Sequence, residues 1–169
     1  MAIRGVEHVG LTVPNMDKAT RFFEEAFDAV VLYDMLTEPL AGPAVESGLG
    51  IPSGAQIEAI RMMRLGKGPN IELFTYSNTE QRRPVTPNDF GIQHICIYVD
   101  DIAAAAQQFE KAGGTLLSQP VDLPGADAGP GNQYLYARAP WGSTIELLTC
   151  PSPQAYEAHT ELRRWRPAP

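Results

Sequence analysis

The chain has 169 residues, 44% of them hydrophobic and 20% charged, which is enough for one ordinary domain or two small fused modules with a core that needs no staples. A net charge of −7 repels a phosphate backbone, so nucleic acid is not an expected partner, and Arg82–Arg83 and Arg163–Arg164 read as solvated charges. No apolar run approaches the roughly 18 residues of a membrane span, and "MAIRGVEHVG" lacks the marks of a signal peptide, which leaves the cytoplasm as the expected compartment.

In chain order, "GVEHVGLTV" (5–13) alternates as a strand, with Val9, Leu11 and Val13 on one face and His8, Gly10 and Thr12 on the other. Met16, Ala19, Phe23, Ala26 and Val30 then recur at helical spacing, with Asn15 or Asp17 available as the N-cap. Strands are predicted around 30–36 and 57–65. Between them the Gly- and Pro-rich stretch 37–55 reads as an insertion, either a lid or a surface loop. A tight "GKGPN" turn leads into a strand at 70–76, which closes a first module at residues 1–76, and 77–90 is the expected linker. The second module, 91–150, offers a strand at 91–99 and a helix at 101–112 capped by Asp100 or Asp101. A short strand near 115–118 and a hairpin of 133–139 with 143–149 complete it. The tail, 151–169, predicts a short helix after Pro153 that docks Tyr156, Leu162 and Trp165 and leaves His159 on the surface. Cys96 and Cys150 make no disulfide framework. Both fall in apolar strand-like runs, where a buried free thiol is expected.

The second module repeats the first. Residues 5–27 align with 91–113 at a constant offset of 86, with seven identities in 23 positions, against roughly one or two from average usage. His8 falls on His94. At an offset of 74, "RLGKGPNIELFTY" aligns with "RAPWGSTIELLTC", placing Glu72 on Glu146. The change of offset marks an insertion of twelve residues in the first module, for which 37–55 is the natural place. The chain therefore reads as an α+β protein built from a βαβββ unit used twice.

His8, Glu72, His94 and Glu146 stand at repeat-equivalent strand positions, each facing away from apolar neighbours. An ionised carboxylate in such a strand is costly unless something neutralises it. A lone strand histidine is ordinarily a packed residue and a lone strand glutamate ordinarily faces solvent; descent from one duplicated ancestor also explains the recurrence. A divalent cation held by two imidazoles and two carboxylates is the chemical alternative, and such nitrogen–oxygen ligation suits Ni, Co, Mn, Fe or Zn.

The doubled βαβββ pattern, "HVGLTV" with "HICIYV" and the paired "IEL" motifs resemble the vicinal oxygen chelate superfamily over residues 5–150. That superfamily includes glyoxalase I, methylmalonyl-CoA epimerase, extradiol dioxygenases and bleomycin-resistance proteins. The resemblance implies a cup of curved β-sheet with helices packed outside, and it places His8, Glu72, His94 and Glu146 on all four metal-ligand positions. The ligand set is similar to that of glyoxalase I, whereas "GIQHICIYVDDI" reads like the epimerase's middle motif and Ala139-Pro140-Trp141 departs from the glyoxalase ending. The implied activity is that of a metal-dependent lyase or isomerase. It chelates neighbouring oxygens of a small carbonyl substrate and moves a proton through an enediolate, with Glu146 as base and Glu72 as its partner. A ring-cleaving dioxygenase, a methylmalonyl-CoA epimerase-like enzyme and a non-catalytic binding protein stand as alternatives. Tyr134 and Tyr136, which share a strand face, and Trp141 are candidate substrate contacts, with ordinary packing as the plainer reading. A homodimer is the expected assembly.

Overall fold

The computed structural model describes residues 3–167. Its contacts divide into two units, Met1–Arg82 and Arg83–Pro169, each with its own sheet and core. The first runs β1 (His8–Thr12), α1 (Met16–Phe27), β2 (Val30–Asp34), α2 (Pro43–Leu49), β3 (Gln56–Arg64), β4 (Asn70–Ser77). Its sheet has the order β1-β4-β3-β2, with β1 parallel to β4 and the other pairs antiparallel. The second runs β5 (Ile95–Tyr98), α3 (Ile102–Lys111), β6 (Thr115–Leu116), β7 (Val121–Asp122), β8 (Gln133–Arg138), β9 (Thr144–Thr149). Its order is β5-β9-β8-β6, with β7 also paired to β8. The α+β class is as expected: two open sheets, each carrying a helix on one face.

Each helix forms for local reasons and is kept by its apolar stripe. Asn15 caps α1 by accepting the Lys18 backbone N–H at 2.9 Å, and Asp28, left-handed at φ 51°, ends it. Ala19, Phe22, Phe23 and Ala26 are buried on the face toward β4, each large side chain contributing about 1.5–3 kcal/mol. In α3, Asp101 accepts the N–H groups of Ala103 and Ala104, and Ile102, Ala106 and Phe109 are buried, packed toward β9. A Cβ on Gly114 would lie 2.0 Å from the Phe109 ring, so only glycine lets the chain pass that ring. Arg61 ties β3 to β2 and α1: it donates to both Asp34 oxygens, at 2.6 and 3.0 Å, and to Thr20 Oγ1 at 3.0 Å. That bidentate pair holds the Asp34 carboxyl below its ordinary range.

Several expectations are corrected. The 37–55 stretch is not simply a loop: Pro43 at the first turn and left-handed Gly50 after the last bracket a short helix, α2, none of whose side chains is buried. β5 begins at Ile95 rather than at residue 91, so His94 precedes its strand while His8 opens β1. In the tail only a 3-10 turn forms, Ala155–Ala158. Thr160 Oγ1 accepts the Leu162 N–H at 3.1 Å, a local bond that competes with helix continuation. Leu162 and Trp165 are exposed rather than docked. Of the two thiols only Cys150 is buried; Cys96 is exposed, because strand alternation puts it on the face of His94 and Glu146. Desolvation at the sulfur and the adjacent Glu146 carboxylate nevertheless push its thiol up to about 12. Among the described residues, no helix is long and apolar enough to cross a membrane.

Candidate functional site

In the first unit, the parallel register sets Gly10 beside Glu72 and His8 beside Asn70, so His8 and Glu72 emerge on the sheet face opposite α1. The His8 Nε2 lies 3.5 Å from Glu72 Oε2. Behind the ring, Nδ1–H donates to Glu7 Oε2 at 2.5 Å, and the other Glu7 oxygen accepts from Asn70 Nδ2 at 2.6 Å. The hydrogen bond to Glu7, reinforced by the Glu72 charge, raises the His8 imidazole above its ordinary value.

The second unit builds the same motif. His94 Nε2 lies 3.0 Å from Glu146 Oε2, and Nδ1–H donates to Gln93 Oε1 at 3.2 Å. Tyr136 stands edge-on to the His94 ring with centroids 5.3 Å apart, and Tyr134 packs against Tyr136 at 5.8 Å. Tyr136 therefore belongs to the His94–Glu146 face, and burial beside the Glu146 charge pushes its phenol up. Trp141 sits in the β8–β9 turn and donates its indole N–H to Ser143 Oγ at 2.8 Å.

The two carboxylate side chains are only 13% and 12% exposed. With Nδ1–H donated to Glu7 or Gln93, a neutral ring turns its Nε2 lone pair toward a carboxylate oxygen, whereas a protonated ring donates to it. Two acceptors facing one another at this distance repel unless a cation stands with them. Two ligands of one ion, each bound at about 2.1 Å, are roughly 3 Å apart at a right angle, close to both separations. The donor set thus fits a divalent metal. Each unit supplies two such donors; among the described residues, no group of three or more His, Cys, Asp or Glu is arranged to hold an ion.

A cavity of about 620 Å³ opens in the first unit, lined by Thr12 and Tyr76, Ile51 and Pro52 beyond α2, and the polar Gln81 and Arg82. Thr12 and Tyr76 lie on the strand face of His8 and Glu72. Its size is that of a small-molecule site. Glu7, Gln93 and Asn70 were not singled out from the sequence, although a polar residue before each histidine was a visible signal. The cavity joins Thr12 and Tyr76 to residues after α2 and after β4, which strand alternation alone does not bring together.

Residues 7–131 match the model of the Glyoxalase/Bleomycin resistance protein/Dioxygenase superfamily. The chain belongs to this superfamily. A 2-epi-5-epi-valiolone epimerase from an Actinomyces species is a relative 36% identical over 166 residues, 96% of this chain and 88% of that protein. Among solved structures, a glyoxalase family protein from Bacillus cereus shares the superfamily fold with TM-score 0.69 and 22% identity, covering 88% of this chain and 95% of its own. Glyoxalase I from Zea mays matches with TM-score 0.58 and 18% identity over 85% of this chain, but only 43% of the maize enzyme is covered. Both structural likenesses concern the fold alone.

Proposed function

We propose that this superfamily member is a divalent-metal-dependent epimerase. It acts at the carbon next to the carbonyl of a small ketone that bears a neighbouring oxygen, and Glu146 and Glu72 move the proton. The observation that carries the reading is the doubled His–Glu pair, each Nε2 set against a poorly exposed carboxylate. The epimerase relative supports the reaction class, and the suffix of its substrate's name supports a ketone.

His8, Glu72, His94 and Glu146 would hold the ion. When bound, the ion supplies a Lewis acid that takes up charge developing on the substrate's carbonyl oxygen, and open positions for the neighbouring oxygen. The residues do the rest. The Glu146 carboxylate takes the proton as the C–H bond breaks, leaving its electron pair in the enolate. Glu72 delivers a proton to the opposite face of that carbon, the stereocentre is inverted without net oxidation or reduction, and proton exchange with water returns both carboxyls to their starting state. The cavity beside Thr12 and Tyr76 supplies hydrogen-bonding groups for the substrate's oxygens.

The reading is tested by incubating the metal-loaded protein with 2-epi-5-epi-valiolone in D2O and following the spectrum by NMR. Deuterium entering one ring carbon together with a new epimer is the expected result. Ring cleavage under Fe(II) with a catechol and oxygen would favour a dioxygenase instead, and tight binding with no exchange would favour a sequestering protein.

A further inference from the structure

The two histidines are backed by unequal groups. Glu7 presents a carboxylate to His8 Nδ1 at 2.5 Å, while Gln93 presents a neutral amide oxygen to His94 Nδ1 at 3.2 Å. Glu7 is also clamped. Its second oxygen takes the Asn70 side-chain N–H at 2.6 Å, and its backbone carbonyl takes the Asn70 backbone N–H at 2.9 Å. Asn70 opens β4, the strand that delivers Glu72 two residues later. At the position equivalent to Asn70, the second unit has Thr144, whose buried hydroxyl has no hydrogen-bond partner among the described residues. The first unit therefore has a closed chain of contacts, Asn70 to Glu7 to His8 to Glu72, and the second has only its final links.

We infer that Glu7 is a positioning residue that makes the first His–Glu pair the stronger metal-binding pair; this rests on the metal-dependent reading above. A carboxylate accepting Nδ1–H increases the electron density at Nε2 and fixes the ring's orientation, and both strengthen the nitrogen as a ligand. A neutral amide at longer distance does so less. Glu7 is 71% exposed, so solvent damps the effect toward the lower end of the range for such partners.

The test is a competition titration of Co(II) into wild type, E7Q and the swap variant E7Q/Q93E, with melting curves of the metal-free proteins. Weaker binding by about tenfold in E7Q, an unchanged metal-free Tm and recovered affinity in the swap variant are expected. E7Q binding within twofold of wild type overturns the assignment, as does a swap variant no tighter than E7Q. Wild type that binds no Co(II) at all removes the metal reading itself, an outcome distinct from either.

Discussion

The same strand positions are used differently in the two modules. In the second, Tyr98 and Tyr134 pack with Leu123, Leu148 and Cys150 into a small core on the site face. Tyr98 donates to the Cys150 carbonyl at 3.1 Å, and Arg166 from the tail donates to the same carbonyl at 3.0 Å. In the first, the equivalents of Tyr98 and Cys150 are Thr12 and Tyr76, and there the face opens as the cavity. Beside the glutamates the contrast recurs: Gly10 leaves space next to Glu72, where Cys96 stands next to Glu146. Duplication supplied two copies of one His–Glu pair, and divergence opened a cavity in the first unit and packed a small core in the second.

The donor pairs should be the feature the modules still share. Glu146→Gln is expected to lower epimerisation about 10²–10⁴-fold, read as initial rates at saturating metal. Glu72→Gln should fall by a comparable factor if the two carboxylates serve opposite faces, and an unaffected Glu72→Gln would break the symmetry. In the cores, Leu73 and Leu147 are equivalent and fully buried. Truncating either to Ala should destabilise by about 2–5 kcal/mol, read by urea denaturation.

Smaller effects sharpen the divergence. Thr12→Tyr puts the second module's residue into the first module's cavity; KM should rise several-fold while Co(II) affinity holds, and an unchanged KM would remove the cavity from substrate binding. Tyr98→Phe should cost about 0.5–1.5 kcal/mol through the lost bond to Cys150. The Arg61–Asp34 pair is confined to the first unit and is partly exposed, so Asp34→Asn should cost under about 1 kcal/mol. Because Asp34's folded pKa is depressed by Arg61, that contribution is present above the ordinary carboxylate value and lost as pH falls through the depressed one. Wild type and Asp34→Asn should therefore converge in stability in strong acid.

Much of this was legible in the sequence because period and repeat carry it. Strand alternation puts His8 with Gly10 and Thr12, and an offset of 74 pairs Glu72 with Glu146. The same alternation, applied to Cys96, would have put its thiol on the His94 face; local apolarity suggested burial instead. α2 escaped because seven residues with nothing buried leave no periodic stripe. The tail misled because Tyr156, Leu162 and Trp165 suggest an apolar face, yet Thr160 takes a backbone N–H that a helix would need. A polar residue precedes each histidine, but that its side chain turns back to Nδ1 depends on side-chain geometry, which spacing does not encode.

The central proposal is that the two equivalent His–Glu pairs bind a divalent cation. Metal content of protein purified without chelators, then reloaded and dialysed, measures it in wild type, His8→Ala and His94→Ala. The account predicts one divalent ion per chain in wild type and almost none in either variant. Full occupancy in one single variant, or a wild type that regains no metal, would contradict it.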